Sequence, residues 1–126
     1  MKYDDNVSEF SVDHQTLDDQ NYLDFFIGEA NLDEQAISKL IPNGETIKNP
    51  LSFLTIDFYN HDTIHTGISE GLKTNYDFQV SFKVQVDEFF IMFLETESLI
   101  MELYVSNGAD ATRIGYAELN LKSMVS

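Results

Sequence analysis

The chain has 126 residues, 43% of them hydrophobic, and carries 22 acidic against 7 basic side chains, a formal net charge of −15. One domain of this size buries roughly two thirds of the surface its unfolded form exposes, so a core is feasible. The acidity opposes nucleic acid and anionic bilayers, whose counterions are displaced by lysine and arginine, and the absence of cysteine excludes disulfides, thiolate metal sites and cysteine nucleophiles.

Met1 to Gln20 holds six acids, Asp4, Asp5, Glu9, Asp13, Asp18 and Asp19, against one lysine. It has no apolar stretch of signal-peptide kind, no later segment reaches the length of a membrane span, and a cytoplasmic address is the default expectation. So polar a composition does not offset the entropy of ordering, and the segment is predicted to be an acidic disordered linker over residues 1–20. The domain is predicted over 21–126. Leu23, Phe25 and Ile27 alternate along the first strand, Tyr22 to Ala30. Residues 31 to 50, with Pro42-Asn43-Gly44 and Asn49-Pro50, read as a long variable connection.

In the second strand, Leu51 to Tyr59, the apolar Leu54, Ile56 and Phe58 oppose Thr55 and Asp57; a short polar third strand covers Thr63 to Ser69. Gly71 to Asn75 form the turn into the fourth. There Phe78, Val80, Phe82, Val84 and Val86 alternate without error with Gln79, Ser81, Lys83 and Gln85, which predicts one buried and one wetted face. Antiparallel strands of this kind build sandwiches and barrels, so the class is all-β.

Asp87-Glu88 precede six consecutive apolar residues, Phe89 to Leu94, whose periodicity fits helix or strand equally. Acids at the start favour a short helical turn. A fifth strand, Leu99 to Val105, presents Leu99, Met101, Leu103 and Val105 on one face. After the turn Ser106 to Asp110 comes a sixth strand, Arg113 to Leu121. Six strands are fewer than a two-sheet sandwich normally uses, so either the domain is cut or the remaining strands come from elsewhere, and truncation is the expectation.

Catalytic signals are missing. No Gly-x-Ser-x-Gly elbow, phosphate-cradling glycine loop or zinc-helix motif occurs, so the chain does not read as an enzyme and no cofactor is expected. Asp87-Glu88 and Asp18-Asp19 suit caps or solvated patches better than acid–base pairs. His61 and His65, with Asp57 or Asp62, fall short of a metal site because no third ligand is fixed by spacing; His14 lies in the acidic segment. The ten Phe and six Tyr exceed what strand stripes absorb, and the run Phe89 to Leu94 is the best candidate for a partner contact, with Met92 and Phe93 singled out.

From Asn49 to Met124 the order of features resembles a C2 domain. Thr74-Asn75-Tyr76-Asp77-Phe78-Gln79-Val80-Ser81-Phe82-Lys83-Val84-Gln85-Val86 is similar to the C2 phrase Asn-Pro-x-Phe-x-x-x-Phe-x-Phe-x-Val, and Leu99-Ile100-Met101-Glu102-Leu103-Tyr104 and Arg113-Ile114-Gly115-Tyr116-Ala117-Glu118-Leu119 resemble two later strands. More narrowly, Asn21 to Ile27, Phe53 to Tyr59, Thr63, Gly71-Leu72, Tyr76 to Phe78 and Val84 to Phe90 resemble the first C2 domain of the RPGRIP1-like (fantom) proteins. That resemblance implies a C2-type antiparallel two-sheet β-sandwich of Greek-key order, with two further strands expected after the sixth and the domain therefore truncated before its last two strands. It further implies a protein-interaction module in a coiled-coil, cytoskeleton-associated scaffold of the ciliary transition zone and basal body, with nephrocystin-4 as partner.

The chain departs from calcium-binding C2 domains at their ligand positions. Lys48-Asn49-Pro50 stands where Ser-Asp-Pro is usual, and Val105, Asn107 and Thr112 occupy aspartate positions with only Asp110 nearby, so calcium-dependent membrane docking is not expected. Lys83 stands alone where phosphoinositide-binding relatives carry a lysine cluster. The competing reading is a C2 domain that docks to phospholipid as a targeting module. Oligomeric state is not legible.

Overall fold

The computed structural model describes residues 2–3, 8–17, 21–41, 48–107 and 110–122. Its strands are β1 (Lys2–Tyr3), β2 (Ser8–Leu17), β3 (Tyr22–Leu32), β4 (Leu51–Asp57), β5 (Ile64–His65), β6 (Ser69–Glu70), β7 (Lys73–Lys83), β8 (Ser98–Asn107) and β9 (Asp110–Asn120). Two helices interrupt them, α1 (Glu34–Leu40) and α2 (Glu88–Thr96). All pairings are antiparallel. One sheet runs β1-β9-β8-β4-β5, with β6 also on β4, and the other runs β2-β3-β7. Hairpins β2–β3 and β8–β9 stay within a sheet. The connection holding α1, the β6–β7 turn and α2 carry the chain from one sheet to the other.

Alternation explains the central strands. Leu54 and Ile56 of β4, Leu99, Met101, Leu103 and Val105 of β8, and Leu23, Phe25 and Ile27 of β3 are all buried, as their period of two requires. Between the sheets Phe25, Phe58 and Phe82 form a triangle with ring centroids 4.7 to 6.1 Å apart, and Phe90 of α2 stands edge-on to Phe58 at 6.2 Å. With Thr66 and Thr74, Ser52 is one of three buried polar residues among those described. Its hydroxyl lies 2.6 Å from the Tyr76 hydroxyl, so a buried hydrogen bond ties β4 of one sheet to β7 of the other. Burial pushes the Tyr76 phenol above its ordinary pKa, and the Ser52 bond opposes part of that shift.

Four expectations need correction. Residues 2–3 and 8–17 are strands, so 1–20 is not a linker throughout and the folded unit begins before Asn21. Ser8 to Leu17 pairs along β3 from Leu32 to Leu23, and this ladder supplies ordering that composition does not reveal. The connection after β3 is not featureless. Asp33 caps α1 by accepting hydrogen bonds from the Gln35 and Ala36 amides, and Ile37 is fully buried.

The fourth strand also begins and ends earlier than predicted, at Lys73 and Lys83. Val84 is still buried, but Val86 lies beyond the strand and is 44% exposed; Phe78 and Val80 are only half-buried. Even-numbered residues face inward along the whole strand, and a bulge interrupts its ladder to β3 without changing that frame. Asp77 adopts φ of 44°, its amide donating to Asn75 Oδ1, between the pairs Glu29–Asn75 and Ile27–Phe78. Finally, the apolar run belongs to a nine-residue helix, longer than a single turn.

Candidate functional site

The surface around α2 follows from how its sequence meets a helical period. Asp87 is extended and its carboxylate accepts the Phe90 amide at 2.9 Å, so the helix starts at Glu88 with an acid in its first turn. Phe90 and Leu94, four apart, share the face that enters the core. Six apolar residues in succession surround a helix, however, and only part of that circumference faces the sandwich. Phe89 is 71% and Met92 57% exposed.

Phe93 sits between these two situations. Half-buried, it packs against Phe58 with centroids 5.5 Å apart and against Tyr59 at 4.8 Å. Tyr59 itself turns the chain out of β4 with φ of 47° and leaves more than a third of its surface in solvent. Tyr59, Val86, Phe89 and Met92 are four of the seven exposed large apolar side chains among the described residues, and all lie in, beside or against α2. The patch is edged by Asp87, Glu88, Glu95 and Glu97, with no basic residue in the last helical turn. Such a surface suits a ligand with an apolar anchor inside a polar rim. Of these residues the sequence singled out Met92 and Phe93. Phe89 lay within the highlighted run, whereas Tyr59 and Val86 gave no sequence signal because both close strand patterns.

The other candidates are dispersed. His61 Nε2 lies 2.9 Å from the Lys83 carbonyl and its ring packs on Phe58 and Phe82, while His65 lies on the opposite surface with Nδ1 2.9 Å from the Thr66 carbonyl. His14 falls on β2. Val105 is fully buried opposite Thr112, Asn107 pairs with Asp110 at the hairpin end, and the Asn49 side-chain amide is hydrogen-bonded to Glu70. A side chain inside the sandwich cannot ligate a surface ion, which removes Val105 from any such set. Among the described residues no group of three His, Asp or Glu is placed to hold a metal, and no helix is long and apolar enough to cross a membrane.

The model of the first C2 domain of RPGR-interacting protein 1 matches residues 14–126. The chain belongs to this family. The match begins within β2, as expected if Ser8–Leu17 is part of the folded unit. Among solved structures, the chain is similar to one of CC2D1B, described as acting in mitotic reformation of the nuclear envelope. That likeness has a TM-score of 0.64 at 13% identity and covers 92% of this chain. It shows the fold, a C2-like sandwich. This C2 domain spans half the length of that structure.

Proposed function

We propose that this domain is a non-catalytic, calcium-independent C2 module that binds another protein through the α2 surface, within a scaffold of the ciliary transition zone. The observation that carries the reading is the exposed Phe89–Met92 ridge on a helix whose other face is locked into the core. Large apolar side chains left in water beside a rigid support are typical anchors of an interface. Phe93 supports the ridge from beneath and contributes its exposed edge. Family membership adds to this, since the family is named for a protein that interacts with RPGR. By the same kinship, a nephrocystin-4-like protein is the first partner to test.

Met92→Glu should weaken capture of nephrocystin-4 by about thirtyfold, the equivalent of about 2 kcal/mol for a central anchor, while the thermal midpoint stays unchanged. Equal binding by Met92→Glu and by Phe89→Glu removes α2 from the interface. Calorimetry with calcium should show no micromolar event. Vesicles rich in anionic lipid should not retain a domain of this charge at physiological salt; retention that Met92→Glu abolishes would make the patch a lipid anchor instead.

A further inference from the structure

A second surface lies away from α2, on the outer face of the larger sheet. The register aligns Phe53, Tyr104 and Arg113 in one row across β4, β8 and β9, and His65, Thr55, Glu102 and Tyr116 in the next. Phe53 and Tyr104 stack with centroids 5.3 Å apart and planes 7° from parallel; His65 stands edge-on to Phe53 at 6.5 Å. Next to this stack is an open cleft of about 380 Å³ lined by Phe53, His65, Thr66, Gly67 and Ile68. Ile68 is 66% exposed, a large aliphatic side chain standing in water at the cleft wall.

The wall is held in place rather than draped. Thr66 is buried, its hydroxyl accepts the Leu54 amide at 3.0 Å and donates to the Gly67 carbonyl at 2.9 Å, and its own amide donates to the Leu54 carbonyl at 2.9 Å. The segment after β5 is thereby pinned to β4, and the cleft exists before any ligand arrives. Little ordering entropy then remains to oppose binding.

The charge around the stack is mainly acidic. Asp57 and Glu70 lie along β4 and β6 on either side of Phe53, and Glu118 shares a row with Asp57 through Ile100. Of the cations that the register places in these rows, Lys2 stands opposite Glu118 at the β1 edge, and Arg113 is already paired with Glu102 at 2.7 Å and lies 5.0 Å over the Tyr116 ring. That arrangement shows what the face accepts: a guanidinium laid on an aromatic ring with a carboxylate beside it. Anionic lipid and nucleic acid are repelled here, and a second copy of a chain with net charge −15 brings the same charge.

We propose that this face binds an extended basic segment of another protein, with an aliphatic side chain seated in the cleft and arginines stacked over the Phe53–Tyr104 pair and facing Asp57 and Glu70. It is an interaction surface additional to α2, so one domain can hold two partners or two parts of one.

Gly67 provides the decisive variant. A Cβ added there meets nothing within 4 Å and its φ lies outside the left-handed region, so Gly67→Trp adds a bulky side chain at the cleft lining without backbone strain. The probe is a fluorescent nine-residue peptide of alternating arginine and leucine, titrated by anisotropy at about 50 mM salt. Its controls replace every leucine by glycine, or every arginine by glutamate. The intact domain should bind the arginine–leucine peptide about tenfold or more tightly than either control. Gly67→Trp should lose that advantage with an unchanged thermal midpoint, and Ile68→Ser, at a largely exposed position, should reduce it without filling the cleft. Met92→Glu should leave this binding untouched, which separates the proposal from the α2 reading. Equal affinity for the glycine-substituted peptide, or undiminished binding by both folded cleft variants, would overturn it.

Discussion

Strand β7 and helix α2 are neighbours in sequence and both rich in phenylalanine, yet they treat their apolar residues differently. On β7 and its extension, Tyr76, Phe82 and Val84 turn inward while Gln79, Ser81, Lys83 and Gln85 face water, so apolar surface and core nearly match. On α2 six apolar residues encircle a helix that the core touches on one side, leaving Phe89 and Met92 outside. A strand pattern that fits its sheet speaks to stability. An apolar surplus that no helical period can hide speaks to a partner.

The strand side of that contrast predicts the largest effect. Phe82→Ala should cost on the order of 3 to 5 kcal/mol in chemical denaturation, since its ring packs on Phe25 and Phe58; Phe89→Ala, with most of its surface in water, should change stability little. Comparable losses at the two positions would erase the distinction.

Next comes Tyr76→Phe, which strips the buried Ser52 hydroxyl of its partner across the sheets and should cost about 1 to 3 kcal/mol. A pH signature accompanies it. The folded phenol has a raised pKa, so above the unfolded value near about 10 the native state holds the proton more tightly than the unfolded chain does. Stability from this group is present in full below that pH and is lost as pH rises toward the folded pKa. Denaturation midpoints of the wild-type domain should fall in this range more steeply than those of Tyr76→Phe, and parallel curves would show that the phenol is not protected.

On the helix side, Asp87→Ala should cost about 1 kcal/mol through loss of the cap on the Phe90 amide, read as a lower melting temperature. Smallest of all is Val86→Ser. Although it continues the β7 alternation in sequence, Val86 lies beyond the strand's end, and the substitution should stay within about 0.5 kcal/mol. A core-sized loss would restore Val86 to the buried face.

The sequence alone carried the inward faces of β3, β4 and β8, because a period of two leaves each side chain only two directions. It also marked the run after Asp87 as unabsorbable, since six apolar residues in a row exceed any single buried face, and the C2 resemblance was legible in the phrases from Thr74 to Leu119. Tertiary structure decided the rest. Ser8–Leu17 is ordered by a ladder to β3, a long-range pairing that acidic composition conceals. The fourth strand stopped at Lys83 and left Val86 outside, and α1 formed within what read as a loop because Ile37 found a fully buried place. The Phe53–Tyr104 stack arises from strands about fifty residues apart brought into register, and the cleft beside it from the segment after β5 folding back onto β4, meetings that no strand pattern encodes.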